Sequence, residues 1–237
     1  MSRIIADQFG IDCPNPEELS AFYASFLGLE DHGHYVKPRN GTTTLWFQKA
    51  DGYQPPTWPT QERGQQLHFD FASSDHEASI AKALSLGATL PGKLDGYHYP
   101  ILLDPVGHPF CLITPREPFE ELELWAVNVD CYDVPELTTF YQQLYGGEID
   151  VHREFSDLVR EDSIKISFQH SPDYQAPTWP TQERGQQVHI DFKTDDRPGY
   201  VAKAISLGAK LMDESGEDWT VLLDPAGHPF CICDPDN

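Results

Sequence analysis

Two short segments of the 237-residue chain carry the side chains best suited to chemistry, and they are alike. In Gln66-Leu67-His68-Phe69-Asp70-Phe71 a histidine and an aspartate alternate with apolar residues, and His189 and Asp191 stand in the same setting. Alternation of period two puts Leu67, Phe69 and Phe71 on one face of a strand and His68 and Asp70 on the other. A histidine on an open sheet face can ligate a metal, act as general base or anchor a substrate. A histidine merely held by hydrogen bonds in a sheet has the same sequence. Asp70 and Asp191, about 7 Å along the same faces, read either as partners that orient the histidines or bind a cation, or as solvated carboxylates at strand ends.

Other candidates recur in the same paired way. Cys111 and Cys231 each follow a phenylalanine in a strand. A nucleophilic cysteine needs a lowered pKa, which His68 across the sheet would supply, whereas a buried thiol is otherwise a small apolar filler. Trp58 and Trp179 are flanked by prolines in loops, placed to stack on a planar guest or to anchor their own loops. Trp46 shares a strand face with Gln48 and favours an aromatic or apolar guest. Arg63 and Arg184 suit a carboxylate-bearing ligand, or a local salt bridge to Glu62 and Glu183. His108 and His228, in Asp-Pro-x-Gly-His-Pro turns, are structural.

These side chains are placed by a unit used twice. The ten residues from Thr57 to Gln66 return letter for letter from Thr178 to Gln187, and Leu102–Cys111 return as Leu222–Cys231 with Val106 changed to Ala226. Phe22-Tyr23 is matched by Phe140-Tyr141. The Pro-bearing stretch Thr114–Pro118 suits a linker, which divides the chain into domains 1–115 and 119–237. In each half, one helix starts at Asn15-Pro16 or Asp133 and stops at Gly28 or Gly146. A second starts with Ser74 and Glu77 as a capping box, buries Ile80, Ala83 and Leu84 and ends at Gly87. Its counterpart buries Val201, Ala204 and Ile205 and ends at Gly208. Strands such as Leu45–Gln48 and Ile164–Gln169 carry one apolar face each. The fold class is α+β, with helices on one side of mostly antiparallel sheets and the other side uncovered.

Composition narrows the partners. A net charge of −22 repels nucleic acid and anionic lipid and draws in cations. No apolar run reaches the ~20 residues of a membrane span, and the start of the chain lacks a secretory signal, so a cytoplasmic protein is expected, monomer or homodimer. Five cysteines without a C-x-x-C pair argue against a disulfide framework. Phosphate loops, G-x-S-x-G elbows and H-E-x-x-H motifs are absent from the sequence.

A strand, a helix ending in Phe-Tyr-x-x-x-Leu/Tyr-Gly and further strands, closed by Leu-Asp-Pro-x-Gly-His-Pro-Phe-Cys, resemble the βαβββ unit of the vicinal-oxygen-chelate superfamily. That group includes glyoxalases, bleomycin-resistance proteins and extradiol dioxygenases. The resemblance implies four such modules in two tandem glyoxalase-like domains with cupped sheets. Metal-using members take ligands from four strand positions. Carried over, these are Gln8, Gln48, His68 and Cys111 in the first half, and Ala126, Gln169, His189 and Cys231 in the second. No carboxylate falls on them, so the cofactor is either none or a divalent metal held through Gln8, Gln48, His68, Gln169 and His189.

Three functions fit. The first is a protein that binds a small planar or apolar, possibly cationic molecule in a sheet cup, as resistance members do. The second is a metal-dependent lyase, isomerase or dioxygenase acting through His68 and His189, with Asp70 and Asp191. The third is a non-catalytic scaffold.

Overall fold

The computed structural model describes residues 3–39, 43–58, 60, 62–91, 99–181 and 183–235. Pro59, Gln61 and Gln182 of the repeated loop lie outside them. The first half runs β1 (Ile4–Cys13), α1 (Pro16–Leu27), β2 (Tyr35–Val36), β3 (Thr44–Lys49), β4 (Leu67–Ala72), α2 (His76–Ser85), β5 (Ile101–Leu103) and β6 (Pro109–Ile113). The second runs β7 (Glu123–Cys131), α3 (Val134–Tyr145), β8 (Glu148–Val151), β9 (Phe155–Val159), β10 (Lys165–His170), β11 (Val188–Thr194), α4 (Arg197–Ser206), β12 (Lys210–Asp213), β13 (Trp219–Leu223) and β14 (Pro229–Cys233). The third and fourth units are full βαβββ modules. The first two show two strands after the helix among the described residues.

Local signals set most helix ends. Pro16 occupies the first turn of α1, and Gly28 closes it with φ 66°, a left-handed conformation that costs other residues more. Asp133 caps α3 by accepting from Glu136 N. The capping box expected at Ser74 is not formed. Asp75 caps α2 by accepting from Ala78 N, while the Ser74 hydroxyl donates to Glu121. Leu84 and Ile205 are not buried as expected but 40% and 43% exposed. Contact with the sheets runs through Ser79 and Ala83 in α2 and Val201 and Ala204 in α4. Leu84 and Ile205 each follow that stripe by one residue, about 100° round the helix.

The strands form two seven-stranded mixed sheets, ordered β12-β13-β14-β11-β1-β3-β2 and β5-β6-β4-β7-β10-β9-β8. Each joins the first unit of one half to the second unit of the other, through antiparallel β1–β11 and β4–β7 pairs. The apolar faces share one core, where Phe9 meets Phe69 edge-on at 6.1 Å. Helix α1 lays Tyr23 on Phe47 and Phe26 on Phe71 and Phe110. Helix α3 lays Tyr141 on Phe168 and Phe192. The polar faces therefore lie on the far sides of the two sheets, opposite the helices.

The repeated motifs are the two ends of one interaction. Asp104 Oδ1 accepts from Val106 N and His108 N and closes the β5–β6 turn, and its Oδ2 accepts from Tyr23 OH at 3.0 Å and lies 3.1 Å from His108 Nδ1. Asp224 repeats this with Ala226 N, His228 N, Tyr141 OH and His228 Nδ1. His108 and His228 are thus structural, as read from the turn.

A second pair of motifs locks the halves together. Gln66 N donates to Gln187 Oε1 (3.1 Å) and Gln187 N to Gln66 Oε1 (3.0 Å). Gln66 Nε2 donates to Gly185 O and Gln187 Nε2 to Gly64 O, both at 2.9 Å. Truncating either side chain strands a buried backbone N–H of the other half. Gln66→Ala and Gln187→Ala are each expected to lower the unfolding free energy by about 1–3 kcal/mol in urea denaturation. A loss within about 0.5 kcal/mol of zero for both would mean the clamp holds nothing.

Candidate functional site

The sheet pairing decides which candidates meet. Cup A, on the first sheet, takes Gln8, Gly10 and Asp12 from β1, Trp46 and Gln48 from β3, His189 and Asp191 from β11 and Cys231 from β14. Cup B takes Ala126, Asn128 and Asp130 from β7, Lys165, Ser167 and Gln169 from β10, His68 and Asp70 from β4 and Cys111 from β6. The carried-over positions therefore combine across the halves. Gln8 and Gln48 face His189 rather than His68, and Gln169 faces His68 rather than His189. The halves exchange edges, which a list of strand positions does not reveal.

Strand register sorts each cup into cross-strand rows. In cup A, Gln8 is level with Thr44 and Asp191, Gly10 with Trp46 and His189, and Asp12 with Gln48. In cup B the same rows read Ala126, Lys165 and Asp70, then Asn128, Ser167 and His68, then Asp130 and Gln169. Both imidazoles are only 7% exposed, although the helices lie on the other side of the sheets. Such burial on a face without helices means that neighbouring strand and loop side chains cover the rings. Gly10 makes room in cup A, because a methyl there would overlap the His189 ring.

One ring nitrogen of His189, an oxygen of Asp191 and Sγ of Cys231 lie within 4.8 Å of one another, as do those of His68, Asp70 and Cys111. His189 Nε2 is 3.4 Å from Asp191 Oδ1, and His68 Nε2 is 3.7 Å from Asp70 Oδ1. An aspartate thus stands beside each histidine and cysteine, a position not among the four carried over. Aspartates two residues on lean back toward the histidines. Gln8 Nε2 donates to Asp191 Oδ2 at 2.7 Å. Asp191 Oδ1 is buried and accepts no hydrogen bond among the described residues.

Behind each histidine lies a layer that alternation along β4 and β11 did not expose. Gln186 Nε2 donates to Asp12 Oδ1 at 3.0 Å and stands 2.9 Å from His189 Nδ1. Gln65 Nε2 likewise donates to Asp130 Oδ2 at 2.9 Å and stands 3.1 Å from His68 Nδ1. An ionised carboxylate needs the amide nitrogen, not its oxygen, on its side. The same nitrogen then donates to Nδ1, so each histidine carries its proton on Nε2, toward the aspartate. Gln48 and Gln169 bond Asp12 and Asp130 and serve this layer instead of the His–Asp–Cys cluster. Asp12 and Asp130 are spaced as Phe22 and Phe140 are, a signal the sequence offered.

Burial shapes the acidities. It lowers His68 to about 4 and raises Asp70 to about 6 and Asp130 to about 7. Asp12 is raised by burial, against the opposing pull of His189 and the Gln186 hydrogen bond. Cys111 is pushed well up by burial and by Asp70, and Cys231 by its hydrogen bond to Cys233 and by burial. Both shifts favour the thiol over the thiolate in the absence of a bound ion, which counts against a resting nucleophile at either position.

The loop residues fall elsewhere. Trp58 and Trp179 are half-buried in their loops and belong to neither set of rows. Among the described residues, no carboxylate lies within 4.0 Å of Arg63 or Arg184, so the expected salt bridges to Glu62 and Glu183 are absent. Arg63 Nε donates instead to Pro55 O, and Arg184 Nε to Ala176 O.

Two outcomes follow from this geometry. Gly10→Ala is expected to displace the His189 ring and lower the unfolding free energy by about 1–3 kcal/mol. Unchanged stability and an unchanged His189 NMR signal would contradict the close approach. Asp130, with its folded pKa raised to about 7, holds its proton more tightly folded than unfolded. Its contribution is full at low pH and lost as pH rises toward about 7, whereas His68, lowered to about 4, contributes the opposite slope between about 4 and 6.5. The stability of the wild type relative to Asp130→Asn is therefore expected to fall between pH 5 and 8. Parallel pH profiles would show that Asp130 titrates normally.

A family model described as glyoxalase-like domain matches residues 8–113 and again 126–233. No curated protein matches the chain in sequence. Glyoxalase I from Zea mays is similar in structure, with a TM-score of 0.63 and 17% identity over 98% of this chain and 93% of that one. A putative dioxygenase from Bacillus subtilis gives 0.64 and 13%, over 98% and 86%. At such identities the likeness is one of fold. With two copies of the domain accounting for nearly all of its length, this chain belongs to the glyoxalase-like domain family of the vicinal-oxygen-chelate superfamily.

Proposed function

We propose that cup A binds a small planar molecule carrying a cationic or hydrogen-bond-donating group. The observation that carries this is Asp191 Oδ1, a buried carboxylate oxygen that accepts no hydrogen bond among the described residues, on the sheet face that also carries Trp46. An unsatisfied buried acceptor is costly, and a guest that donates to it recovers that cost. The wall is Trp46, stacked on Tyr35 at 6.1 Å and 10° between planes. The row through Gly10 leaves no side chain of β1 between Trp46 and His189. Cup B offers a different surface, since Ser167 replaces Trp46 in register and Lys165 pairs with Asp157 at 3.0 Å. The acidic surface favours approach of a cation.

A second reading, the metal-dependent one, is favoured by the same oxygen. His189, Asp191 and Cys231 offer nitrogen, oxygen and sulfur, and Gln8 stands beside them, a set that suits zinc or a similar ion. Such an ion, when bound, polarises a substrate oxygen. Holding it on Nε2 requires the other imidazole tautomer, with Gln186 turned so that its oxygen accepts from Nδ1–H.

Titration with acriflavine, acridine and acridine-9-carboxylate tests the first reading. The cation is expected to bind about tenfold more tightly than the anion, and Trp46→Ala and Asp191→Asn each to weaken it about tenfold. Equal binding of cation and anion, or binding unmoved by both substitutions, would overturn it. Stoichiometric metal in the purified protein, lost in a His68→Ala/His189→Ala variant, would establish the second reading in its place.

A further inference from the structure

The clamp between the halves encloses more than hydrogen bonds. Arg63 and Arg184 line one partly enclosed hollow together with Gln54, Gln175, Gln66 and Gln187. The lining consists of matched pairs from the two repeats, so the hollow lies on the local twofold axis that relates them. It contains no carboxylate among the described residues.

The arginines are held rigidly. Each guanidinium donates through Nε to a backbone carbonyl of its own loop, Arg63 to Pro55 O at 2.9 Å and Arg184 to Ala176 O at 3.0 Å. The arginine backbones are fixed in turn, because Arg63 N donates to Thr57 Oγ1 and Arg184 N to Thr178 Oγ1. The Nη groups of both make no hydrogen bond or ion pair among the described residues. The result is two half-buried, pre-oriented cations facing one space in a chain of net charge −22. Like charges lining one hollow repel, and an anion between them offsets that repulsion.

We infer that this hollow is a binding site for a small tetrahedral oxyanion, separate from both cups and independent of what they bind. The symmetry selects the shape. A guanidinium fork takes two oxygens of an anion side by side. Phosphate and sulfate present two such edges related by a twofold axis, one for each arginine, whereas a carboxylate presents a single edge. The exposed Gln54 and Gln175 stand at the mouth and supply amide donors. Because the hollow bridges Gly64 and Gly185, where the clamp bonds end, an anion there would tie the two halves more firmly.

Melting of the full chain in sodium phosphate, at ionic strength held constant with sodium chloride, is the test. Phosphate is expected to raise the melting temperature saturably, by about 5–11 °C at a hundredfold excess over Kd. Arg63→Gln/Arg184→Gln abolishes the rise, and His189→Ala leaves it in place, which separates this site from cup A. A rise no greater than chloride gives, or one retained in the arginine variant, overturns the inference. Should that variant fail to fold, Arg63→Lys/Arg184→Lys keeps the charge and loses the fork. Phosphate affinity weakened about tenfold there supports the site, and unchanged affinity refutes it. Phenyl phosphate at the same concentrations identifies the source, since a response equal to that of phosphate indicates a phosphomonoester and a weaker one the free ion.

Discussion

Everything chemical in this molecule depends on the pairing of strand edges across its two halves. The β1–β11 pair brings Gln8 and Gly10 to Asp191 and His189, residues more than a whole domain apart in sequence. The β4–β7 pair does the same for Asp70, His68, Ala126 and Asn128. Neither half owns a complete cup. A single domain expressed alone would present an unpaired first-strand edge and half of each polar layer, so the halves are better regarded as parts of one folding unit than as beads on a linker. The glutamine clamp sits where the loops cross from one sheet to the other and fixes the register of that exchange.

Around the exchanged strands, buried charge is managed by amides. Asp12 and Asp130 lie almost wholly out of water, 3% and 2% exposed, and each accepts from two glutamines. Burying a carboxylate without a cationic partner costs several kcal/mol unless it is hydrogen-bonded, and the raised pKa values show that the cost is only partly offset. What the arrangement gains is a defined histidine. An amide nitrogen shared between carboxylate and imidazole leaves one tautomer, with the Nε2 proton aimed at the cup. Cup A ends in an aspartate oxygen that accepts no hydrogen bond among the described residues, while in cup B the outer hairpin brings in Lys165 against Asp157. The floor of one hollow is left wanting a donor and the side of the other is internally neutralised.

Much of this was legible in the sequence. Alternation placed His68, Asp70, His189 and Asp191 on uncovered faces, and the Pro16, Gly28 and Gly146 signals bounded two helices, because these features are set by neighbours a few residues away. The His108 and His228 turns were read correctly for the same reason. The partner of each histidine was not legible. Both halves carry the same pattern of faces, so pairing within a half and pairing across halves predict the same alternation, and only three-dimensional closure chooses. That Asp70 and Asp191 reach the histidine rings directly was not legible, because backbone spacing along a strand, about 7 Å, says little about where two side chains meet when both lean to the same side. Arg63 was assigned to Glu62 by proximity in sequence, whereas its guanidinium found a carbonyl eight residues back.

The pattern of repetition and divergence is itself informative. Segments that recur unchanged, Gln65-Gln66 with Gln186-Gln187 and the Asp-Pro-x-Gly-His turns, serve the clamp, the tautomer-setting amides and the anchoring of α1 and α3. His, Asp and Cys at the cup floors recur too. The differences gather on the strands that face them: Gln8 against Ala126, Gly10 against Asn128, Thr44 against Lys165 and Trp46 against Ser167. A chain that needed two copies of one site would repeat the walls along with the floor. Here the frame is held constant and one wall of each cup is rewritten: the aromatic Trp46 gives way to Ser167, Gly10 to Asn128 and Thr44 to Lys165, while Gln8 gives way to the apolar Ala126. That is the expected outcome if the two faces answer to guests of different chemistry, as the proposed binding by cup A implies.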